Sequence, residues 1–207
     1  MGTVTETGKK NGHGSDAETK KKGINQQDSE EHATYLQKFF SDQLKDMYYA
    51  EQELLKALPE LRSAATTEEL EDAIEEHTQQ TRRHVKRLEK IFHMIGQRPE
   101  GKRCEAMDGL IKECKTIILE TEENTMTRDA ALIIAAQKIE HYEMATYGGL
   151  VALALTMGLG RAADILDKTL AEEMDTDQML TDIAENYINV EAEHEGSYTW
   201  DKKIWMV

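Results

Sequence analysis

The segment Ala130–Met157 is the oiliest part of the chain, and in its middle stand two carboxylates, Glu140 and Glu143, one helical turn apart within Lys138-Ile-Glu140-His-Tyr-Glu143. On a helix they share the face that carries Ile133, Met144 and Tyr147. Ionised carboxylates are costly to bury unless a cation, a proton or a set of hydrogen bonds compensates them. A fold for this chain must therefore bury a long apolar helix and also provide for its acids.

The remainder of the chain supplies partners of the same kind. Only two prolines and three phenylalanines occur in 207 residues, while Ala, Leu, Glu, Lys and Gln fill long uninterrupted runs. Helix formers dominate and strand signatures are scarce, which predicts an all-α protein. Between Glu31 and Ala65 the residues Leu36, Phe40, Leu44, Met47, Leu54, Leu58 and Leu61 recur at the period of an amphipathic helix, and Glu51 falls inside that stripe. Thr66-Thr67-Glu-Glu provides a hydroxyl cap and an acidic first turn for a second helix, which Gly96 and Pro99 stop. Its apolar ends flank a polar centre of His77, Gln80, Thr81 and His84; His77 with Gln80 are the candidate ligands there, and His84 reads as a hydrogen-bonded core histidine.

A shorter helix is expected from Cys104 to about Leu119. The third long helix starts at Thr127-Arg-Asp-Ala and closes at Gly158-Leu-Gly160. A last long helix, Arg161 to Glu193, places Glu173 and Asp177 at the centre of a stripe of Leu166, Leu170, Leu180 and Ala184, while Glu172, rotated by about 100°, faces outward.

The expected architecture is an antiparallel four-helix bundle with an additional shorter helix between the second and third long helices, spanning 31–193. A polar, disordered tail is expected over residues 1–30, since Gly, Lys, Thr, Ser, Asn and Asp cannot offset the entropy of ordering. An aromatic extension over 194–207, with Tyr198, Trp200, Ile204 and Trp205, should pack on the bundle or on another subunit.

Composition removes several function classes. A net charge of -15 and a pI near 4.9 oppose binding to nucleic acid or to an anionic membrane surface. No apolar run reaches the length of a membrane span, and Met1–Ser29 lacks the apolar core of a signal peptide. Cys104 and Cys114 have no Cys or His neighbours at metal-ligand spacing, which speaks against a disulfide framework or a zinc site and favours a reducing, cytoplasmic setting. Gly158-Leu-Gly160 carries no nucleotide signal.

Laid side by side, the four long helices bring Glu51, His77 with Gln80, Glu140 with Glu143, and Glu173 with Asp177 to one level. Five carboxylates in one core must either take up protons or enclose cations. Oxygen ligands with an imidazole suit iron or manganese better than zinc. Two divalent ions, iron or manganese, would answer that charge directly and are the expected cofactor.

These residues also carry a family resemblance. From about Thr34 to Ala192 the chain resembles the YciF-like bacterial stress proteins of the ferritin-like, rubrerythrin-related superfamily, over Tyr49-Ala-Glu51, His77 to Leu88, Cys104-Glu-Ala-Met-Asp-Gly-Leu-Ile, Ala135-Ala-Gln-Lys-Ile-Glu-His-Tyr-Glu143 and Glu172-Glu-Met-Asp-Thr-Asp177. The resemblance implies a ferritin-like fold, a homodimer and a dinuclear metal centre, with Glu51, Glu140, Glu143 and Glu173 at the family's carboxylate positions. It also exposes two departures. Gln80 stands where the family carries a glutamate, and Thr176 where ferritins and rubrerythrins carry the histidine of Glu-x-x-His, with Asp177 the nearest substitute. Two functions follow as expectations: stress-related metal binding with ferroxidase or peroxide-consuming chemistry, or a non-catalytic dimeric structural or interaction protein with a degenerate metal site.

Overall fold

The computed structural model describes residues 33–196. The tail expected over 1–30 and the aromatic stretch Tyr198–Trp205 lie outside the described residues. Those that are described are helical, as the composition predicts, and no strand occurs among them.

Helix α1 (Tyr35–Ala64) opens on a capping box: the Thr34 hydroxyl accepts from Gln37 N and the Gln37 side chain accepts from Thr34 N. Helix α2 (Glu68–Met94) is capped by Thr67 and carries Glu68, Glu69 and Glu71 against the positive end of its dipole. It ends at Gly96, whose φ of +74° is one that side chains with a Cβ rarely adopt. The short α3 (Glu105–Glu120) begins with the Cys104 thiol accepting from Met107 N, so this buried cysteine serves as a cap. Helix α4 (Met126–Thr156) is capped by Thr125 and α5 (Gly160–Ile183) follows after a turn at Gly158, φ +72°.

The last helix differs from the uninterrupted run expected to Glu193. A π-helical turn, Ala184–Ile188, separates α5 from the short α6 (Asn189–His194). The wider turn accommodates an extra residue without breaking the rod, keeping Ala184 and Ile188 both buried while Tyr187 and Val190 are exposed.

The four long helices form a ring in which α1 packs on α2 and α4, and α5 packs on α2 and α4. Side-chain contacts fix their directions. Ser41, near the start of α1, donates to Gln97 just past the end of α2, and Gln80 meets Thr176 between α2 and α5. Asp129 at the start of α4 meets Thr66 and Thr67 just past the end of α1, and His84 with Glu172 and Gln80 with Thr176 run in opposite order along α2 and α5, so neighbours in the ring are antiparallel. The connection from α2 to α4 must return along the bundle, and α3 makes that return against α1 and α4, tied by Lys115–Glu60 and Lys138–Glu113 ion pairs. This is the ferritin-like arrangement with one long crossover.

Leu44, Met47, Leu54, Leu70, Leu88, Ile91, Phe92, Ile133 and Leu166 fill the interior, each contributing about 1.5–3 kcal/mol on leaving water. Two buried polar side chains lock the connections. Arg128 donates to Thr121 Oγ1 and to the carbonyls of Ile118 and Thr121, satisfying the end of α3. Asp129, fully buried, accepts from Thr66 N at 2.7 Å and from Thr67 N and Oγ1 at 2.8 Å, so α4 holds the α1–α2 turn.

Replacing Asp129 with Ala strands two backbone N–H groups in the interior and should destabilise the chain by about 2–4 kcal/mol, read as a lower urea midpoint by circular dichroism. Asp129→Asn should lose less, because its carbonyl oxygen still accepts.

Candidate metal centre

Halfway along the bundle the apolar packing gives way to a closed polar cluster. Each long helix contributes because its stripe is interrupted at the same level. Helix α1 supplies Glu51, between Met47 and Leu54. Helix α2 supplies His77 and His84, two turns apart and hence on one face. Helix α4 supplies Glu140 and Glu143, with Tyr147 a turn further on, and α5 supplies Glu173. All are buried, and Glu51, His84, Glu143 and Glu173 are wholly removed from solvent.

The contacts join these side chains into two overlapping groups. His77 lies 3.5 Å from Glu140 Oε1 through Nε2 and 3.9 Å from Glu173 Oε2 through Nδ1. His84 Nδ1 lies 3.0 Å from Glu173 Oε1 and 3.6 Å from Glu51 Oε1. Tyr147 donates its hydroxyl to Glu51 Oε1. In the group His77, Glu140, Glu143 and Glu173, and in the group Glu51, His84 and Glu173, one donor atom from each residue falls within 4.8 Å of all the others. Glu173 belongs to both.

Electrostatically the cluster is out of balance. Burial, with the neighbouring carboxylates adding repulsion, holds Glu140 and Glu143 well above the usual carboxylate range. Burial raises Glu51 as well, against the opposing pull of His84. Burial also lowers His77. For His84 burial again opposes the charge, but Glu173 and Glu51 at its Nδ1 outweigh it and push the imidazole up to about 10. One imidazole that favours its charged form thus stands among four buried carboxyl groups. Glu51 Oε2, Glu140 Oε2, both oxygens of Glu143 and both ring nitrogens of His77 have no hydrogen-bond partner. Buried polar atoms are nearly always paired, so this concentration of unpaired atoms makes the cluster the candidate site of the chain.

The residues singled out from the sequence are distributed as follows. Glu51, His77, Glu140, Glu143 and Glu173 converge. Gln80 is buried beside them but turns its carbonyl oxygen to the Thr176 hydroxyl at 2.8 Å. Asp177 sits at the margin, partly exposed, with Oδ1 3.3 Å from the His141 ring, outside both donor groups. His84, read from the sequence as a hydrogen-bonded core histidine, is fully buried and hydrogen-bonded, and its Nδ1 also stands between Glu51 and Glu173. Glu172 does lie toward the surface as its rotation predicts, yet its side chain reaches back to His84 Nε2 at 2.9 Å. Arg87 grips the same carboxylate through two nitrogens, at 2.7 and 2.9 Å, and burial notwithstanding, Arg87 and His84 lower Glu172 to about 2.

A ferritin-like bundle enclosing carboxylates and imidazoles at its centre defines the structural class. The chain belongs to the DUF892 family, a domain of unknown function, which matches residues 35–193. It is a YciF-like protein: it is 41% identical to protein YciF of Escherichia coli K12 over 160 residues, 77% of this chain and 96% of that one. The crystal structure of the E. coli stress protein YciF superposes with a TM-score of 0.72 at 40% identity, over 76% of this chain and 99% of its own. YcfI from Rhodopseudomonas palustris superposes at 0.70 with 36% identity, over 72% and 94%. A Xanthomonas campestris protein shares the fold at 20% identity and a TM-score of 0.58, over 77% of this chain and 98% of that one. Among the described residues no helix is long and apolar enough to cross a membrane.

Glu51, Glu140, Glu143 and His84 are raised, and His77 alone is lowered, so His77 opposes the others only up to the ordinary imidazole value of about 6.5. A carboxylate raised on folding costs stability as pH climbs above its unfolded value, about 4.3, and an imidazole raised to about 10 gives up its stabilisation as pH climbs from about 6.5 through 10. Chelator-treated protein should therefore melt at lower temperature at about pH 9 than at about pH 6, and Glu143→Gln, which removes one of the repelling charges, should flatten that slope in a dye-monitored melt.

Proposed function

We propose that this chain is a ferritin-like carboxylate protein that binds two divalent metal ions, iron or manganese, as a stress-related metal-binding protein suited to oxidising Fe(II). The observation that carries this reading is the sharing of Glu173 between two donor groups in a cluster rich in unpaired buried oxygens and ring nitrogens. Two dications answer four carboxylates directly, and a carboxylate common to both groups is what a bridging ligand requires. His77, Glu140 and Glu143 would complete one position around Glu173, and His84 with Glu51 the other. The mixture of carboxylate oxygens with one imidazole per position favours iron or manganese over zinc, whose structural sites prefer thiolates and histidines. Bound iron would supply one-electron redox chemistry, cycling between Fe(II) and Fe(III).

The surrounding residues support such a site. Glu172, held by Arg87, hydrogen-bonds His84 Nε2 and so aims Nδ1 inward, as outer carboxylates commonly do for ligating histidines. Tyr147 fixes one oxygen of Glu51 and leaves the other unpaired. A homodimer in the cytoplasm completes the reading, with exposed apolar side chains such as Tyr187 and Val190 available for contact.

A second reading has its own observation. The Gln80–Thr176 hydrogen bond pairs two neutral side chains where the family resemblance calls for a glutamate and a histidine, and a relative, YcfI, is described as a candidate structural protein. On that reading the cluster is satisfied by shared protons and the chain acts as a dimeric structural or interaction protein.

Metal analysis of protein purified without chelator separates the two. About two equivalents of iron or manganese per chain are expected, falling by at least half in Glu140→Ala with Glu143→Ala; unchanged content in the double variant would sink this site. Saturating Fe(II) or Mn(II) should also raise the melting temperature by several degrees, as expected for a ligand bound only by the folded state, and the double variant should lose that shift. Absence of any shift in the parent protein would favour the structural reading.

A further inference from the structure

Where α5 runs into the π turn, the surface carries a groove of about 440 Å³ between these residues and the start of α2. The π turn lines it through Asn186, Tyr187 and Ile188, and the last turns of α5 line it through Met179 and Ile183. Ile188 is buried, Met179 and Ile183 are partly buried and Tyr187 is half exposed, so an apolar surface there stays open to water. Single π turns inserted between α-helical segments are frequent at functional sites. The rim is acidic. Glu69, Asp175 and Asp182 stand exposed around the groove, and no basic side chain lines it among the described residues. A well-matched occupant therefore brings large apolar side chains together with positive charge.

The described residues end beside this groove. Glu195 accepts from Met126 N at 2.5 Å and from Thr127 N at 2.9 Å, which ties the residue after α6 to the start of α4. The start of α4 in turn holds the α1–α2 turn: Thr66 Oγ1 donates to the Thr125 carbonyl, and Asp129 accepts from Thr67 N. Thr67 itself lines the groove. Residues 197–207 continue from there, and Ser197-Tyr-Thr-Trp200-Asp-Lys202-Lys203-Ile204-Trp205-Met-Val207 combines both tryptophans of the chain with two adjacent lysines against a single acid, Asp201. Reach is ample. The short α6 rises about 9 Å, and an extended chain covers about 3.3 Å per residue, so about four residues lead back along it to Tyr187.

We infer that residues 197–207 dock in this groove of their own chain, Trp200 and Trp205 supplying apolar surface and Lys202 with Lys203 the charge that answers Asp175 and Asp182. Indole rings contribute strongly to such contacts, because each removes a large apolar area from water. Complementary charge at the rim fixes which way the segment lies. Tyr187 is then met from within the chain, and Val190, outside the groove, stays open to a second copy. The contact needs no metal and stands apart from the buried cluster.

Both tryptophans lie in the segment, so tryptophan fluorescence of the full chain reports on it alone. Emission should be blue-shifted and shielded from acrylamide relative to a free peptide of residues 197–207. Asp175→Lys with Asp182→Lys should move the emission to that of the peptide, Lys202→Glu with Lys203→Glu should do the same, and the four changes together should restore the blue shift. Asp175 and Asp182 are exposed, so circular dichroism should show the groove variant as helical as the parent. Peptide-like emission in the parent, or no recovery when the four changes are combined, would overturn the proposal. A second copy as the donor of the segment is the remaining outcome. In an equal mixture of normal and heavy-nitrogen-labelled chains refolded together, zero-length cross-links from Lys202 or Lys203 to Asp175 or Asp182 should join peptides of like label, and mixed-label pairs would overturn the assignment to the same chain.

Discussion

Mutual repulsion among Glu51, Glu140, Glu143 and Glu173 is the constraint around which this bundle is organised. Four carboxylates within one closed interior cannot all be ionised without compensation, since each lacks the water that would stabilise its charge. The chain provides one resident cation, the His84 imidazole, and anchors it from outside through Glu172 and Arg87. That single positive charge is too little for four acids. In a fully satisfied polar network each member finds a partner, and here several do not. The second histidine, His77, is lowered while His84 is raised, although both sit on one face of α2. For His77 burial prevails, whereas His84 lies closer to its carboxylates, 3.0 and 3.6 Å against 3.5 and 3.9 Å, and they outweigh burial there.

The rest of the fold holds those acids in place. A ring of antiparallel neighbours puts the centre of every long helix at the same height, so one interruption per apolar stripe is enough to assemble the cluster. Arg128 and Asp129, adjacent in α4, fasten the two connections that could loosen it, one at the end of α3 and one at the α1–α2 turn. Apolar layers above and below exclude water from the acids, which raises their cost and sharpens the demand for a counter-charge.

Much of this was legible in the sequence because it obeys periodicity. The second helix followed from Thr67 as its cap and two helix ends from Gly96 and Gly158 as stops, and the inward acids followed from their place in apolar stripes, whereas the Thr34 and Thr125 caps emerge only in the structure. Three features were not legible, each for a physical reason. The π turn at Ala184–Ile188 leaves no mark in an apolar pattern that tolerates one extra residue. His84 looks like any core histidine until the carboxylates of two other helices are placed beside it, which only the three-dimensional packing does. Glu172 has the rotation of an outward residue, and its flexible side chain, not its helical position, carries the carboxylate back to His84. Periodicity describes where a Cβ points, and a glutamate's head can lie well away from it.

The double membership of Glu173 has one more consequence. A side chain that belongs to both donor groups cannot respond to an ion in one without altering its geometry and charge toward the other. On the metal-binding reading the two positions would then be thermodynamically linked, and by reciprocity whatever free energy the first occupant added to or subtracted from the second would be returned in full when the order is reversed. Filling would therefore depart from two independent sites, and the linkage would run through a single carboxylate on α5.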